Sequence, residues 1–278
     1  MACYLARVPV VSALYVYPIK SCRGILVQEW PVVARGFRCD RRWMIVDASG
    51  KFVTQRERAE LALVATALEG DQLRLTVPGR PELVLPLGDE SGESREVQVW
   101  QDRTIAAAHE AGSAWFSDYL GAPHELVYMP EAQRRQVNPA RALPGDIVSF
   151  ADAYPFLLIS EASLAELNSR LEVPLSMTRF RPNIVISGSQ PFAEDDYARA
   201  RIGEISFRGP KRCERCVITT IDPMSGERGR EPLLTLAKFR LQEQKIWFGM
   251  NLIHDNLGTL RVGDTVSQTP AMDSGAAK

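Results

Sequence analysis

Apolar and polar residues alternate in short runs over residues 1–128, and the period is mostly that of half-buried strands. Residues 73–77 (LRLTV) and 96–100 (EVQVW) alternate cleanly. Residues 12–19 are a further strand candidate, and 43–46 (WMIV), a turn at 47–50 (DASG) and 51–54 (KFVT) read as a hairpin. Residues 111–120 switch to a helical spacing, with Trp115, Phe116, Tyr119 and Leu120 available for one apolar face. Residues 130–146 are polar and irregular, which predicts a loop and a boundary. Beyond it Ser160 is placed to cap a helix carrying Leu164, Leu167 and Leu171. Strands are expected at 184–186, 205–207 and 217–221, a short helix at 232–240, a turn at Gly263 and Asp264, and a disordered tail over 269–278. The chain shows no internal repeat and no low-complexity segment. The expectation is an α+β, β-rich fold with a few helices, closer to barrels than to a doubly wound sheet.

A chain of 278 residues holds one large domain or two ordinary ones. Hydrophobic content of 45% and charged content of 24% are those of a globular protein. The net charge of −1 favours neither nucleic acid nor an acidic membrane, so any basic site must be local. No apolar run approaches the ~20 residues of a membrane helix. Residues 8–17 are the nearest approach to a signal-peptide core, but Pro9, Pro18 and Lys20 argue for a first strand and a cytoplasmic protein. The cysteines Cys3, Cys22, Cys39, Cys213 and Cys216 are odd in number and scattered, unlike a secreted disulfide framework.

The most informative stretch is 211–222 (KRCERCVITTID). The C-x-x-C spacing of Cys213 and Cys216 suggests zinc, a redox dithiol or a soft-metal thiolate. Both flanks read as strand, so the helical context of a thioredoxin-type pair is missing. Structural zinc wants four ligands, and the remaining cysteines and His109, His124 and His254 are not paired at ligand spacing. An iron–sulfur cluster lacks its four-cysteine pattern. Lys211, Arg212 and Arg215 crowd the pair and favour thiolate. Two structural thiols are the plain alternative. Lys20 and Ser21, at the end of the first strand, can hold a phosphate oxygen by a charge and a hydrogen bond, or form a solvated strand end. Arg41 and Arg42 begin a strand, so one can face a site while the other meets solvent. Arg181 and Asn183 alternate before an apolar strand and suit phosphate, a pterin edge or a carboxylate. Asp152 can accept from a ring N–H or cap a turn. No Ser-His-Asp elbow, P-loop or G-x-G-x-x-G stands out.

Seven separated segments resemble one known family in order: 17–24 (YPIKSCRG), 40–43 (DRRW), 155–167 (PFLLISEASLAEL), 168–171 (NSRL), 179–187 (RFRPNIVIS), 213–223 (CERCVITTIDP) and 231–233 (EPL). They resemble MOSC-domain proteins, and within these the mitochondrial amidoxime-reducing components and their bacterial relatives, collinearly over about 10–267. The resemblance implies a MOSC N-terminal β-barrel-like domain over 1–128, a connecting loop at 129–146 and a MOSC domain over 147–268. It also implies a molybdenum cofactor (Mo-molybdopterin) between the domains. Cys216 maps onto the family's molybdenum ligand. Lys20, Ser21, Arg41, Arg181 and Asn183 map onto positions that hold the pterin and its phosphate, and Asp152 onto a site aspartate. Ala153 and Tyr154 depart from the small polar pair expected next to it. Cys213 is placed beside the cofactor in a supporting or structural role. The implied reaction is reduction of an N–O bond in an amidoxime, hydroxylamine or N-hydroxylated base. Its electrons come from a separate flavin reductase, ferredoxin or cytochrome b5-like protein, because the iron–sulfur extension of some bacterial relatives is lacking. The competing readings are a non-catalytic cofactor carrier and a β-rich interaction domain.

Overall fold

The structure is a computed structural model and describes residues 8–269. Its largest feature is a nine-stranded sheet. In spatial order the strands are Ile25–Val27, Val10–Val16, Ile184–Ser187, Phe156–Ser160, Lys245–His254, Ile205–Glu214, Arg199–Ile202 and Val266–Gln268, with Leu241–Gln242 pairing on Lys245–His254. The alternation of Val10–Val16 buries Val11, Leu14 and Val16 against Phe37, Phe156, Ile184, Ile202 and Leu252. This strand pairs antiparallel with Ile184–Ser187, so the start of the chain is built into the sheet of its second half. Glu29–Val33 does the same with Gly258–Arg261. The sheet curls until Val266–Gln268 nears the first strand, where Val10 and Thr265 share one bridge.

Residues 43–128 supply two smaller antiparallel sheets. Trp43–Val46, Glu125–Tyr128, Asp102–His109 and Glu93–Val99 form one, and Ala65–Glu69, Gln72–Thr76 and Leu83–Pro86 the other. The helix Glu110–Leu120 closes their core with Phe116 and Leu120. It begins where the His109 ring accepts from the Gly112 amide and ends at Gly121, whose φ of 67° is the left-handed cap that glycine adopts without strain. Three α-helices among the described residues, against many strands, give the α+β class that the pattern predicts.

Three local expectations need correction. Residues 217–221 are not a strand: the strand Ile205–Glu214 stops short and Val217–Thr220 winds into a 3-10 helix. The Thr219 and Thr220 hydroxyls donate back to the Cys216 and Val217 carbonyls at 2.9 and 2.8 Å, offering the backbone a local alternative to a ladder. The predicted hairpin forms its turn, with the Gly50 amide on the Asp47 carbonyl at 2.9 Å, but Lys51 and Phe52 pair only through isolated bridges. The helix capped by Ser160 ends at Asn168, before Leu171. The tail expectation falls almost wholly on residues outside those described.

Candidate functional site

A cleft of about 720 Å³ opens between the two halves of the chain. Its walls come from the segment after Val10–Val16, the 148–154 loop, the turn before Ile184–Ser187 and the end of Ile205–Glu214. The residues mapped onto the cofactor site all line it: Lys20, Ser21, Arg41, Asp152, Arg181, Asn183, Cys213 and Cys216. Arg42 neither lines it nor meets solvent, being buried with its guanidinium on Glu131 and the Met129 carbonyl. Three of the lining residues, Ser21, Arg41 and Arg181, hold left-handed backbone at φ of 71°, 47° and 57°. That conformation costs a non-glycine residue about 1–2 kcal/mol and persists only where its surroundings impose it. Here the Arg41 amide donates to the Tyr17 carbonyl at 2.7 Å, and the Arg181 amide to Thr178 at 3.1 Å.

The two arginines share one support. The Arg41 and Arg181 guanidinium carbons lie 4.2 and 4.4 Å from the centre of the buried Tyr17 ring. Beneath them the buried Asp40 carboxylate accepts from Arg41 at 2.5 Å, from the Tyr17 amide at 2.9 Å and from Asn183 Nδ2 at 3.1 Å. Burial raises the Asp40 carboxyl, and the Arg41 charge opposes that. The Asn183 oxygen accepts from Arg41 at 2.9 Å and from the Leu157 amide at 3.4 Å, while Nδ2 also reaches the Tyr15 carbonyl. Asn183 thus lines the cleft with its hydrogen-bonding capacity turned to protein. Arg181 Nη1 donates to the Cys22 carbonyl at 2.7 Å. The Ser21 hydroxyl makes no hydrogen bond to the described residues, and Ser21 lines the cleft.

Lys20 is buried and spans to the Phe150 carbonyl at 2.8 Å and to Asp152 Oδ1. Burial lowers its pKa to about 8, with Asp152 pulling the other way. For Asp152, burial acts to raise the carboxyl, but the charges of Lys20 and Arg56 and the Trp100 N–H at 3.3 Å outweigh it and hold it below the usual range. Its side chain is 49% exposed to the cleft, so water screens the pair. Arg135 fixes this loop by donating to the carbonyls of Ser149, Ala151 and Asp152 at 2.9, 2.6 and 3.2 Å.

Cys213 and Cys216 are free thiols at the end of the strand and the start of the 3-10 helix. Burial pushes the Cys213 thiol up, and Arg215 donates to its sulfur at 3.0 Å. Cys216 Sγ receives Arg56 Nη2 at 3.4 Å. Arg56, Trp100 and Arg135 are site residues that the sequence reading passed over. The T-x-x-E of 54–57 was a readable signal for the turn that carries Arg56: the Thr54 amide donates to Glu57 Oε2 at 3.0 Å, half of a capping box.

Eight Lys or Arg side chains line the cleft against three carboxylates, in a chain whose net charge is −1. Concave low-dielectric walls focus that field on a bound anion. A cleft-wall thiol, a cation-rich wall and an unpaired hydroxyl fit a phosphate-bearing cofactor with a soft metal. Among the described residues no cluster of three or more His, Cys, Asp or Glu could hold an ion.

Residues 8–123 match the MOSC N-terminal beta barrel domain and residues 145–267 the MOSC domain. The human mitochondrial amidoxime-reducing component 1 is 36% identical over 281 residues, covering 94% of this chain and 83% of that protein. The chain belongs to the MOSC-domain family of the amidoxime-reducing components. The rat mitochondrial amidoxime reducing component 2 is 35% identical over 94% of this chain and 84% of its own length. Rice molybdenum cofactor sulfurase is 32% identical over 88% of this chain, which spans 32% of the sulfurase. In MOSC terms, the first strand of the N-terminal match completes the sheet of the C-terminal match. No helix of the described residues is long and apolar enough to cross a membrane.

Proposed function

We propose that this MOSC protein is a molybdenum-cofactor-dependent reductase of N-hydroxylated compounds, acting in the cytoplasm with a separate electron-donor protein. The observation that carries the reading is the placement of Cys216 on the wall of a cleft in which cations outnumber carboxylates by eight to three. When bound, the cofactor supplies the two-electron chemistry that cleaves an N–O bond. Cys216 would hold the metal by its thiolate. Arg41, Arg181, Ser21 and Lys20 would hold the anionic end of the pterin, each charged contact contributing about 1.5–3 kcal/mol. Asn183 contributes by orienting Arg41, since its own bonds go to protein. Release of water from a hydroxylamine consumes two protons along with the two electrons. Lys20, lowered to about 8 by burial, can hold and release a proton at Nζ while the ionised Asp152 accepts its hydrogen bond at Oδ1. Arg135 keeps that pair in place.

The test is molybdenum content per chain in a host that makes the cofactor, followed by reduction of benzamidoxime with a chemical electron donor. Wild type should hold close to one molybdenum and turn over, and Cys216→Ala should lose both. Equal metal in both proteins would remove Cys216 from the ligand set. The match to a cofactor sulfurase supports a second reading, a carrier module. It predicts stoichiometric cofactor with no turnover of any N-hydroxylated substrate.

A further inference from the structure

The two thiols of the C-x-x-C pair are served by different cations. Arg215 donates to Cys213 and to the Phe180 carbonyl, both within the residues that match the MOSC domain. Cys216 receives Arg56, which lies 160 residues earlier in the chain. Arg56 is held on every side. Its amide donates to Thr54 Oγ1 at 3.1 Å. Arg228 Nη2 donates to the Gln55 and Arg56 carbonyls at 3.0 and 2.9 Å, and Gln55 Nε2 donates to the Ser21 carbonyl at 2.5 Å. The guanidinium stacks on Trp100 at 4.8 Å and lies 3.6 Å from Asp152 Oδ2. Its side chain is 20% exposed, so its charge acts through little water.

We propose that Arg56 is a positioning residue that sets the electron-donating strength of the Cys216 sulfur. The inference rests on the reading of Cys216 as a metal ligand. A hydrogen bond and a positive charge on a ligating sulfur withdraw electron density from the metal and stabilise its reduced state. Arg56 therefore raises the reduction potential of a metal bound at Cys216, and its removal lowers it. The planar fork lets one side chain stack on Trp100, approach Asp152 and point one N–H at sulfur. Lysine keeps the charge and loses the fork, so Arg56→Lys should fall between wild type and Arg56→Met. Trp100→Leu frees the guanidinium and should shift the potential the same way by less.

The experiment uses the full chain produced with cofactor. Molybdenum per chain, thermal midpoint and the reduction potential of the bound molybdenum are measured for wild type and the three variants. The expected result is wild-type loading and thermal midpoint, with the potential of Arg56→Met lowered by about tenfold in the equilibrium constant. For a one-electron step that is about 59 mV. A loaded, folded Arg56→Met with an unshifted potential overturns the inference alone. If Arg56→Met fails to load, Arg56→Lys decides: a lowered potential supports the inference and an unchanged one overturns it. A wild type without molybdenum sinks the proposed function, and this inference with it.

Discussion

Replacing Tyr17 by leucine should collapse the paired-arginine wall of the cleft, whereas phenylalanine should leave it standing. The ring is 2% exposed and lies under two guanidiniums, at 4.2 and 4.4 Å. A desolvated cation–π contact is worth up to roughly 2 kcal/mol. The Tyr17 hydroxyl donates to the Pro182 carbonyl at 3.0 Å, a bond worth about 1 kcal/mol. Tyr17→Phe loses only that bond and strands the carbonyl, for about 1–2 kcal/mol. Tyr17→Leu loses both cation–π contacts and part of the ring's packing as well, for about 3–5 kcal/mol. It also leaves two like charges without the surface that separates their environments, so Arg181, already lowered by burial with Arg41 beside it, loses its ordering. Urea unfolding of the three proteins gives the stabilities, provided the m-values agree. Molybdenum occupancy gives the consequence at the cleft: retained with phenylalanine, lost with leucine. If phenylalanine costs as much as leucine, the hydroxyl and not the ring is the support, and the reasoning fails.

Two further predictions concern the same corner. A Cβ on Gly24 would lie 2.7 Å from Tyr17 Cδ1, so Gly24→Ala should cost about 1–3 kcal/mol by urea unfolding. That cost should shrink in a Tyr17→Leu background, where the clash is gone; full additivity would contradict the contact. In the cofactor-free protein, Lys20 should titrate near 8 instead of its ordinary 10.5, and lower still in Asp152→Asn, as read by NMR of isotope-labelled lysine Cε methylene groups. Between those two values the unfolded chain keeps a proton that the folded one releases, so Lys20 makes stability rise with pH across that window. A Lys20 midpoint near 10.5 would show that its amine is not buried as described.

The cleft was more legible in the sequence than the strands around it. Lys20, Arg41 and Arg181 each border an apolar run, where a charge must either meet water or meet a partner, and it was the resemblance to MOSC-domain proteins that placed them at the site. The strand Lys245–His254 was not identified from sequence, because it lies at the centre of the sheet and is buried on both faces through most of its length. Such a strand shows no period of two. Gly249 in its middle reads as a breaker, yet it is required: at φ of 84° a Cβ would meet Ile159 Cγ1 at 2.7 Å. Residues 217–221 misled in the opposite sense, since the two threonines that raise strand propensity also carry the hydroxyls that bend the chain. Arg56 was invisible because nothing local distinguishes an arginine that reaches a sulfur from one that reaches water.

The joining of the two halves explains why a chain of near-zero net charge can concentrate cations in one place. Lys20, Arg41 and Arg56 come from the N-terminal match, and Arg181, Arg212 and Arg215 from the MOSC match. Neither set alone surrounds Cys216. They converge because Val10–Val16 is hydrogen-bonded into the same sheet as Ile184–Ser187, which brings Lys20 and Arg181 to the same end of adjacent strands. Repulsion among these cations is tolerated because each is tied to protein: Lys20 to Asp152, Arg41 to Asp40, Arg181 to the Cys22 carbonyl and Arg215 to the Phe180 carbonyl. Those ties leave the groups ordered before any anion arrives, so a phosphate-bearing ligand gains their field without the entropy cost of gathering them. The same strand pairing that closes the sheet therefore also assembles the site.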